Sequence, residues 1–202
     1  VLLERNGRRL GFADNFLSAA QRCRGEWIAF CDQDDVWLPH RLAHAAQAIG
    51  TGDDDLMMVV QAAELADRAL NPMGRRLPEI ARRRTRERNS HYGLWLQPGF
   101  SLTVRARLLR ELSWLARPPG NFPDHTRQAH DKWCCMLANA LGTVAYLPDT
   151  AALFRRHESA VSGSHVRRSL RGSLDCALRT GQARYAFLSS VASDSAACLR
   201  RL

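Results

Sequence analysis

The sequence predicts an α/β fold in which a mostly parallel sheet is flanked by helices. Within the first 60 residues, short continuous apolar runs alternate with stretches that carry apolar residues at helical spacing. This alternation is typical of such sheets. The length of 202 residues allows one domain with a substantial core plus an appendage. We therefore expect a main domain over residues 1–163 and a C-terminal, basic, amphipathic helical segment over residues 164–202.

The first part of the chain supplies three predicted strands separated by two predicted helices. Residues 1–4 and 27–31 are short apolar runs that predict strands, the second of them buried on both faces. Residues 12–23 and 38–49 place apolar side chains on one helical face, and a glycine follows each stretch. Residues 56–60 predict the third strand. The apolar stripe of the second helix consists of Leu38, Leu42, Ala45, Ala46 and Ile49.

The later part of the chain is less regular. Residues 66–98 combine turn signals with basic charge and predict a long loop or lid with some helix. The remaining predicted elements are a strand at 98–104, helices at 105–116 and 130–141, and strands at 143–147 and 152–154.

The chain is strongly basic, with a net charge of +9 and an isoelectric point near 10.1. This excess predicts an anionic partner, and the charge alone leaves open nucleic acid, an anionic membrane surface and a phosphorylated small molecule. Nucleic acid is not the expected partner, because no helix-turn-helix or RNA-reading motif accompanies the charge. The six cysteines show no metal-binding spacing, so reduced, buried cysteines of a cytosolic protein are the favoured interpretation.

Three acids, Asp32, Asp34 and Asp35, directly follow the predicted strand at 27–31. Ligands of open α/β sheets bind beyond the carboxyl ends of the strands, which is where these carboxylates fall. A helix cap accounts for one acid and leaves the other two without an explanation. Because like charges this close raise one another's pKa, we expect a positive group among them, and Mg²⁺ or Mn²⁺ shared with phosphate oxygens fits best.

Two kinds of metal and phosphate chemistry fit these acids. The stretch "DQDDV" matches the pattern of haloacid-dehalogenase-type phosphatases, with Asp32 as nucleophile and Asp34 as acid and base. A nucleotide-sugar glycosyltransferase also carries a D-x-D segment, which binds the donor diphosphate through a metal. The motif alone does not decide between the two.

Three longer blocks carry a more specific signal. They read "NGRRLGFADNFLSAAQRCRGEWIAFCDQDDVWLPHRL", "PGFSLTVRARLL" and "HDKWCCMLANALGTVAYLPDTAALFRRHESAVSG". In this order they resemble the family-2 inverting glycosyltransferases, and among them the rhamnosyltransferase-like, polysaccharide-building members. The resemblance covers about residues 5–163 and implies a GT-A fold. It also implies transfer of a sugar, with rhamnose a candidate, from a nucleotide-diphosphate donor to a saccharide or lipid-linked acceptor.

The resemblance implies a role for several residues. Asp131 matches the catalytic base, although an acid in the first turn of a helix is also favoured by the helix dipole. The expected donor and metal residues are Asp32, Asp34, Asp35 and His157, of which Asp34, Asp35 and His157 face the metal. Arg155 and Arg156 are expected to neutralise the diphosphate. The candidate contacts to the sugar or acceptor are Trp37, Trp133, Gly99 and Phe100. For both tryptophans packing is the favoured role, and stacking on a sugar is the alternative.

The chain departs from this family at its start. The family's first strands, which hold the donor nucleotide, have no counterpart in this sequence. We therefore expect a partial catalytic domain with weak turnover and a tendency to associate, and a non-catalytic binding module is the alternative function. The C-terminal helices are expected either to pack on the domain or to lie on an anionic membrane surface. The expected location is the cytoplasm, peripheral to the inner face of the membrane.

Overall fold

The computed structural model describes residues 2–88, 97–117 and 127–156. The chain divides into two compact units, and residues 1–114 and 129–163 form the first. The second unit comprises residues 115–128 and 164–202, of which only five are described. The expected boundary after residue 163 and the C-terminal helices lie outside the described residues and stay predictions.

In the described part of the chain, four α-helices and seven strands alternate. The helices are α1 (Phe12–Arg22), α2 (Arg41–Ile49), α3 (Arg107–Arg110) and α4 (His130–Leu141), with 3-10 turns at Gly99–Ser101 and Trp114–Ala116. The strands are β1 (Trp27–Ala29), β2 (Val36–Trp37), β3 (Leu56–Ala66), β4 (Pro72–Leu77), β5 (Arg84–Arg86), β6 (Leu102–Arg105) and β7 (Thr143–Arg155).

The strands form one mixed sheet in the order β1-β6-β3-β7-β2, with β4 added beside β3 and β5 beside β7. β3 and β7 pair in parallel, while the other pairs are antiparallel. The α/β class is confirmed, but the sheet is not mostly parallel. β1, β3 and β7 do run in one direction, and the reverse strand β6 lies between β1 and β3.

The core lies on both faces of the central strands. Residues 56–63 of β3 are all buried, because β6 and β7 flank this strand and helices cover it. α2 covers one face, where its alanines pack against side chains of β3 and β7. α4 packs against β3, β6 and β7. The helical prediction for residues 12–23 and 130–141 is confirmed by α1 and α4.

Several predicted elements differ from the structure. Residues 2–4 form no strand, and Leu2 and Leu3 are exposed. The segment predicted as a loop with some helix instead contributes strands β4 and β5 within its described part, residues 66–88. The helix predicted at 105–116 is limited to α3 and a 3-10 turn. The two strands predicted after residue 142 are one strand, β7.

Gly142 joins α4 to β7 at a point of close backbone approach. A Cβ there would lie far inside contact distance of the Asp55 carbonyl oxygen and 2.6 Å from Met57 Cγ. Gly142→Ala is therefore expected to lower the free energy of unfolding by about 1–3 kcal/mol, because a backbone oxygen cannot swing aside as a side chain can. Urea denaturation measures this change. Gly7→Ala is the control, because a Cβ on Gly7 would meet no atom within 4 Å. Gly74 is not used, since its φ of 68° would strain any other residue.

No helix in the described ranges is long and apolar enough to cross a lipid bilayer.

Candidate active site

The three acids predicted as donor ligands lie in the turn between β1 and β2. The amide of Asp35 approaches the carbonyl oxygen of Asp32 at 3.4 Å, which closes the turn. β2 then pairs with β7, and the Leu38 amide donates to the carbonyl of Ala151 at 2.9 Å. This turn follows the carboxyl end of β1, at the edge of the sheet where β3 and β7 also end.

Arg155, the last residue of β7, holds this turn in place. Its backbone amide donates to Asp35 Oδ1 at 3.1 Å, and its Nε donates to the carbonyl oxygen of Asp34 at 2.9 Å. Its Nη1 donates to the carbonyl oxygen of Arg68, just beyond β3, at 3.0 Å. Arg155 was predicted to face the donor diphosphate, and the structure places it against the acid turn. Its guanidinium is engaged with backbone carbonyls there.

A second cation near the acids, Arg41, was not predicted from the sequence. Arg41 is 1% exposed, and its Nη2 donates to the Phe100 carbonyl oxygen at 2.5 Å. Burial lowers the pKa of Arg41 to about 10, while the charge of the Asp35 carboxylate acts in the opposite direction. The sequence did contain a signal, since Arg41 shares a helical face with the buried Ala45 and Ala48.

The acids interact unfavourably with one another. Burial raises the pKa of Asp35 to about 7; the Arg155 amide lowers it, Asp32 and Asp34 raise it, and Arg41 lowers it. Burial, followed by the charge of Asp34, also raises the pKa of Asp32. A positive group was expected among the acids. Arg41 and the Arg155 amide partly fill this role, because both lower the pKa of Asp35. They do not fully offset burial, because the pKa values of Asp32 and Asp35 both remain raised.

Asp131 stands in the first turn of α4 and accepts a hydrogen bond from the Lys132 amide at 2.6 Å. Burial raises its pKa to about 6; the Lys132 amide and charge lower it, and the charge of Asp32 raises it. Asp32, one of the predicted donor acids, therefore contributes to the raised pKa of the predicted base. These residues are separated by about half of the chain, and the fold brings them together.

The start of α4 is anchored by His130, which sequence reasoning did not single out. Its ring stacks on Phe16 of α1 with centroids 4.4 Å apart and meets Phe30, just after β1, edge-on at 5.1 Å. The side chain is buried. This contact fixes the neighbouring Asp131 relative to the turn that follows β1.

Gly99 allows His130 to occupy this position. A Cβ on Gly99 would clash with His130 Nε2 and lie 3.1 Å from its Cε1. Because the aromatic contacts leave the ring no free space, Gly99→Ala is expected to lower the free energy of unfolding by about 1–3 kcal/mol. Thermal denaturation of this variant beside Gly7→Ala measures the effect. An unchanged melting temperature would contradict this packing.

The other predicted sugar contacts are largely inside the protein. Phe100 is 2% exposed and stacks on Phe154 with centroids 4.3 Å apart, and Trp133 is 2% exposed. Trp37 is half-buried, and the Arg41 guanidinium lies 4.4 Å from its ring centroid. Burial favours packing for Phe100 and Trp133, so their contact with a sugar stays a prediction that this placement does not support. The same holds for the buried Gly99.

Of the last two predicted donor residues, Arg156 and His157, the structure describes only Arg156. The Arg156 amide donates to the Ala66 carbonyl oxygen at 2.8 Å, and its guanidinium lies 5.8 Å from the Phe154 ring centroid. His157 lies outside the described residues. Arg156 is therefore placed beside the site, and its contact with a diphosphate stays a prediction.

The acid turn offers oxygen ligands of the kind that hard cations bind. Within the described ranges, no three histidine, cysteine, aspartate or glutamate side chains converge as a metal-binding group. Asp35 Oδ2, however, is buried and has no hydrogen-bond partner among the described residues. The turn therefore fits a divalent cation only as a partial ligand set, which His157 or donor phosphate oxygens would complete.

Comparison with protein families gives one match. The family model described as "Glycosyl transferase family 2" matches residues 1–112. The matched region contains the acid turn, Arg41 and the 3-10 turn before β6, whereas Asp131 and Arg155 lie beyond it. No curated protein matches the chain significantly.

Proposed function

The chain belongs to glycosyl transferase family 2, and from this premise we propose that it transfers a sugar, with inversion, from a nucleotide-diphosphate donor to a saccharide or lipid-linked acceptor. The family match and the mixed sheet flanked by helices show a GT-A-like fold. We do not propose phosphatase activity, because it would explain only the "DQDDV" stretch and none of the later sequence blocks.

One observation carries the proposal. The ring of His130, the residue before Asp131, contacts the ring of Phe30, two residues before Asp32, with centroids 5.1 Å apart, so a candidate base lies near the segment that would hold the donor diphosphate. An inverting displacement needs these two functions close together, because the acceptor oxygen attacks the anomeric carbon opposite the departing diphosphate. The pairing of a metal-type acid turn with a separate, raised-pKa carboxylate supports transfer over simple donor binding.

In the proposed reaction, the ionised Asp131 accepts the proton of the acceptor hydroxyl. The acceptor oxygen forms a bond to the anomeric carbon, and the bond from that carbon to the diphosphate oxygen breaks. The electron pair leaves with the nucleoside diphosphate. A base with a pKa near 6 suits this work, since it is ionised at neutral pH yet more basic than an ordinary aspartate.

Mg²⁺ or Mn²⁺ is the proposed cofactor, held by Asp34 and Asp35 together with His157. When bound, such an ion neutralises charge on the diphosphate leaving group. Asp35 Oδ2, which is buried without a hydrogen-bond partner in the part of the chain that the structure describes, supports this assignment. Arg155 acts on the same site indirectly, because its amide and Nε fix the turn that presents these carboxylates.

Rhamnose is the candidate sugar and cell-surface polysaccharide the candidate product, because the sequence blocks resemble rhamnosyltransferase-like members. We propose a cytoplasmic enzyme with peripheral contact to anionic lipid, which the net charge of +9 supports.

Isothermal titration calorimetry with a panel of nucleotide sugars tests the proposal. Each donor is titrated with and without Mn²⁺. We expect at least one donor to bind in a metal-dependent manner. Absence of binding across the panel would favour a non-catalytic module, and release of phosphate from a phosphomonoester would revive the phosphatase alternative.

A further inference from the structure

Arg41, at the start of the helix that follows the acid turn and β2, is buried more deeply than an arginine normally is. It begins α2 and is 1% exposed, whereas the adjacent Leu42 is 54% exposed. The helix therefore turns a cation toward the interior and a leucine toward solvent. Because removing a guanidinium from water is costly, the surrounding contacts must compensate for it.

These contacts join three separate parts of the chain. Nη2 donates to the Phe100 carbonyl oxygen at 2.5 Å, in the 3-10 turn before β6. The guanidinium carbon lies 4.4 Å from the ring centroid of Trp37 in β2. The Arg41 carbonyl oxygen accepts a hydrogen bond from Nε2 of the fully buried Gln61 of β3 at 3.0 Å. Arg41 thus connects the strand that follows the acids to the centre of the sheet.

Electrostatics adds a fourth connection. Burial lowers the pKa of Arg41, whereas the charge of the Asp35 carboxylate favours its charged form. Among the described residues, Arg41 Nε and Nη1 have no hydrogen-bond partner, and neither has Asp35 Oδ2. Arg155, which also holds the turn, uses its guanidinium on the carbonyl oxygens of Asp34 and Arg68. The charge of the buried Arg41 acts instead on the Asp35 carboxylate.

We propose that Arg41 is a positioning residue, which holds the acid turn and Trp37 in the conformation that binds the donor diphosphate. This inference rests on the proposed function for its ligand, but its structural part stands on the contacts alone. Arg41 is too deeply buried to touch a ligand and acts through Asp35 and Trp37. A turn fixed before binding loses little conformational freedom when the ligand arrives, so the ligand binds more tightly.

Two amides report directly on this positioning. The Leu38 amide donates to Ala151, and the Arg155 amide donates to Asp35 Oδ1. In Arg41→Met, which keeps bulk but removes the charge and the donors, both amides are expected to exchange with solvent about tenfold faster or more. Amides of α4 are expected to keep their exchange rates. Arg41→Lys retains the charge without the planar fork and should give an intermediate result.

Arg105→Met is the matched control. Arg105 also donates to a backbone carbonyl, that of Asp54, and its guanidinium lies 5.7 Å from the Trp27 ring centroid. It lies on β6, and it faces a different loop from the acids. This variant removes an arginine with the same two kinds of contact, so the Leu38 and Arg155 amides should exchange as in the unaltered chain.

The experiment combines hydrogen exchange by NMR with calorimetric titration of UDP and dTDP in the presence of Mn²⁺. Arg41→Met is expected to weaken nucleotide binding by about 10–100-fold, the range seen when partners that orient ligand-binding groups are removed. If Arg41→Met does not fold, Arg41→Lys carries the same comparison. Unchanged exchange of both amides in a folded variant overturns the inference. If the unaltered chain binds neither nucleotide, the donor assignment fails, and the exchange rates still decide whether Arg41 positions the turn.

Discussion

Asp131→Asn is expected to lower the rate of sugar transfer by about 10²–10⁴-fold, the usual contribution of a positioned general base. The asparagine keeps the shape of the side chain and cannot accept the proton of the acceptor hydroxyl. Donor binding should be unchanged, because the acid turn and Arg155 are untouched. Initial-rate kinetics with a saturating donor, together with calorimetric titration of that donor, separate the two effects.

The same variant should be more stable than the unaltered chain at neutral pH. The pKa of Asp131 is raised from 3.8 to about 6 in the folded protein, so the folded state binds the proton more tightly than the unfolded state. Stability from this group is therefore present below pH 4 and is lost as the pH rises through about 6. The shift corresponds to at most about 3 kcal/mol, and we expect about 1–2 kcal/mol because the side chain is partly exposed.

Asp14→Asn is the matched control for both effects, since Asp14 lies in the first turn of α1 as Asp131 does in α4. If Asp131 serves only to complement the helix dipole, both variants should lose a little stability and keep their activity.

The activity of the unaltered chain should fall tenfold per pH unit below about pH 6, as the base becomes protonated. A flat profile there would exclude Asp131 as the base.

Asp34→Ala is expected to weaken metal-dependent donor binding by at least about 10–100-fold. Removing a residue that only orients a metal ligand already costs this much metal affinity. We propose that Asp34 contacts the metal directly, so its loss should cost at least as much. The hydrogen bond from Arg155 to the turn should persist in the variant, because Arg155 Nε donates to the carbonyl oxygen of residue 34, which the substitution retains. Calorimetry with Mn²⁺ and the best donor of the panel measures the change.

Asp54→Ala provides the comparison for this result. Asp54 is an exposed acid in another run of three, and its carbonyl oxygen accepts the Arg105 hydrogen bond. Its loss removes the same charge from the chain and should leave donor binding unaltered. Equal weakening by both substitutions would mean that only the net charge matters.

The sequence predicted most reliably where apolar side chains decide the structure. α1, α4, β1 and the first half of β3 are confirmed, because their burial patterns follow the expected periods. β4 and β5 were missed because they are exposed and rich in arginine, and pairing with β3 and β7 holds them instead of burial. β7 appeared broken at Pro148 and Asp149, and shifts of register opposite this point accommodate the interruption.

In the candidate site, the residues that a local sequence pattern marks were predicted, and those whose role depends on tertiary contacts were missed. The three acids were found because their clustering needs an explanation, and their place after β1 agrees with the structure. Arg41 was missed because hydrophobic periodicity assigns Leu42 to the core, and tertiary contacts with Trp37 and Phe100 decide otherwise. His130 was missed because its function is to pack against aromatic rings that lie far away in the sequence.

We propose that the acid turn and Asp131 together perform an inverting sugar transfer. The most direct test incubates the purified chain with the best-binding nucleotide sugar, Mn²⁺ and a saccharide acceptor, and follows the anomeric proton by NMR. We predict a new glycosidic signal with the anomeric configuration opposite to that of the donor, which Asp131→Asn abolishes. A product that retains the donor configuration, or an undiminished signal with Asp131→Asn, would contradict the account.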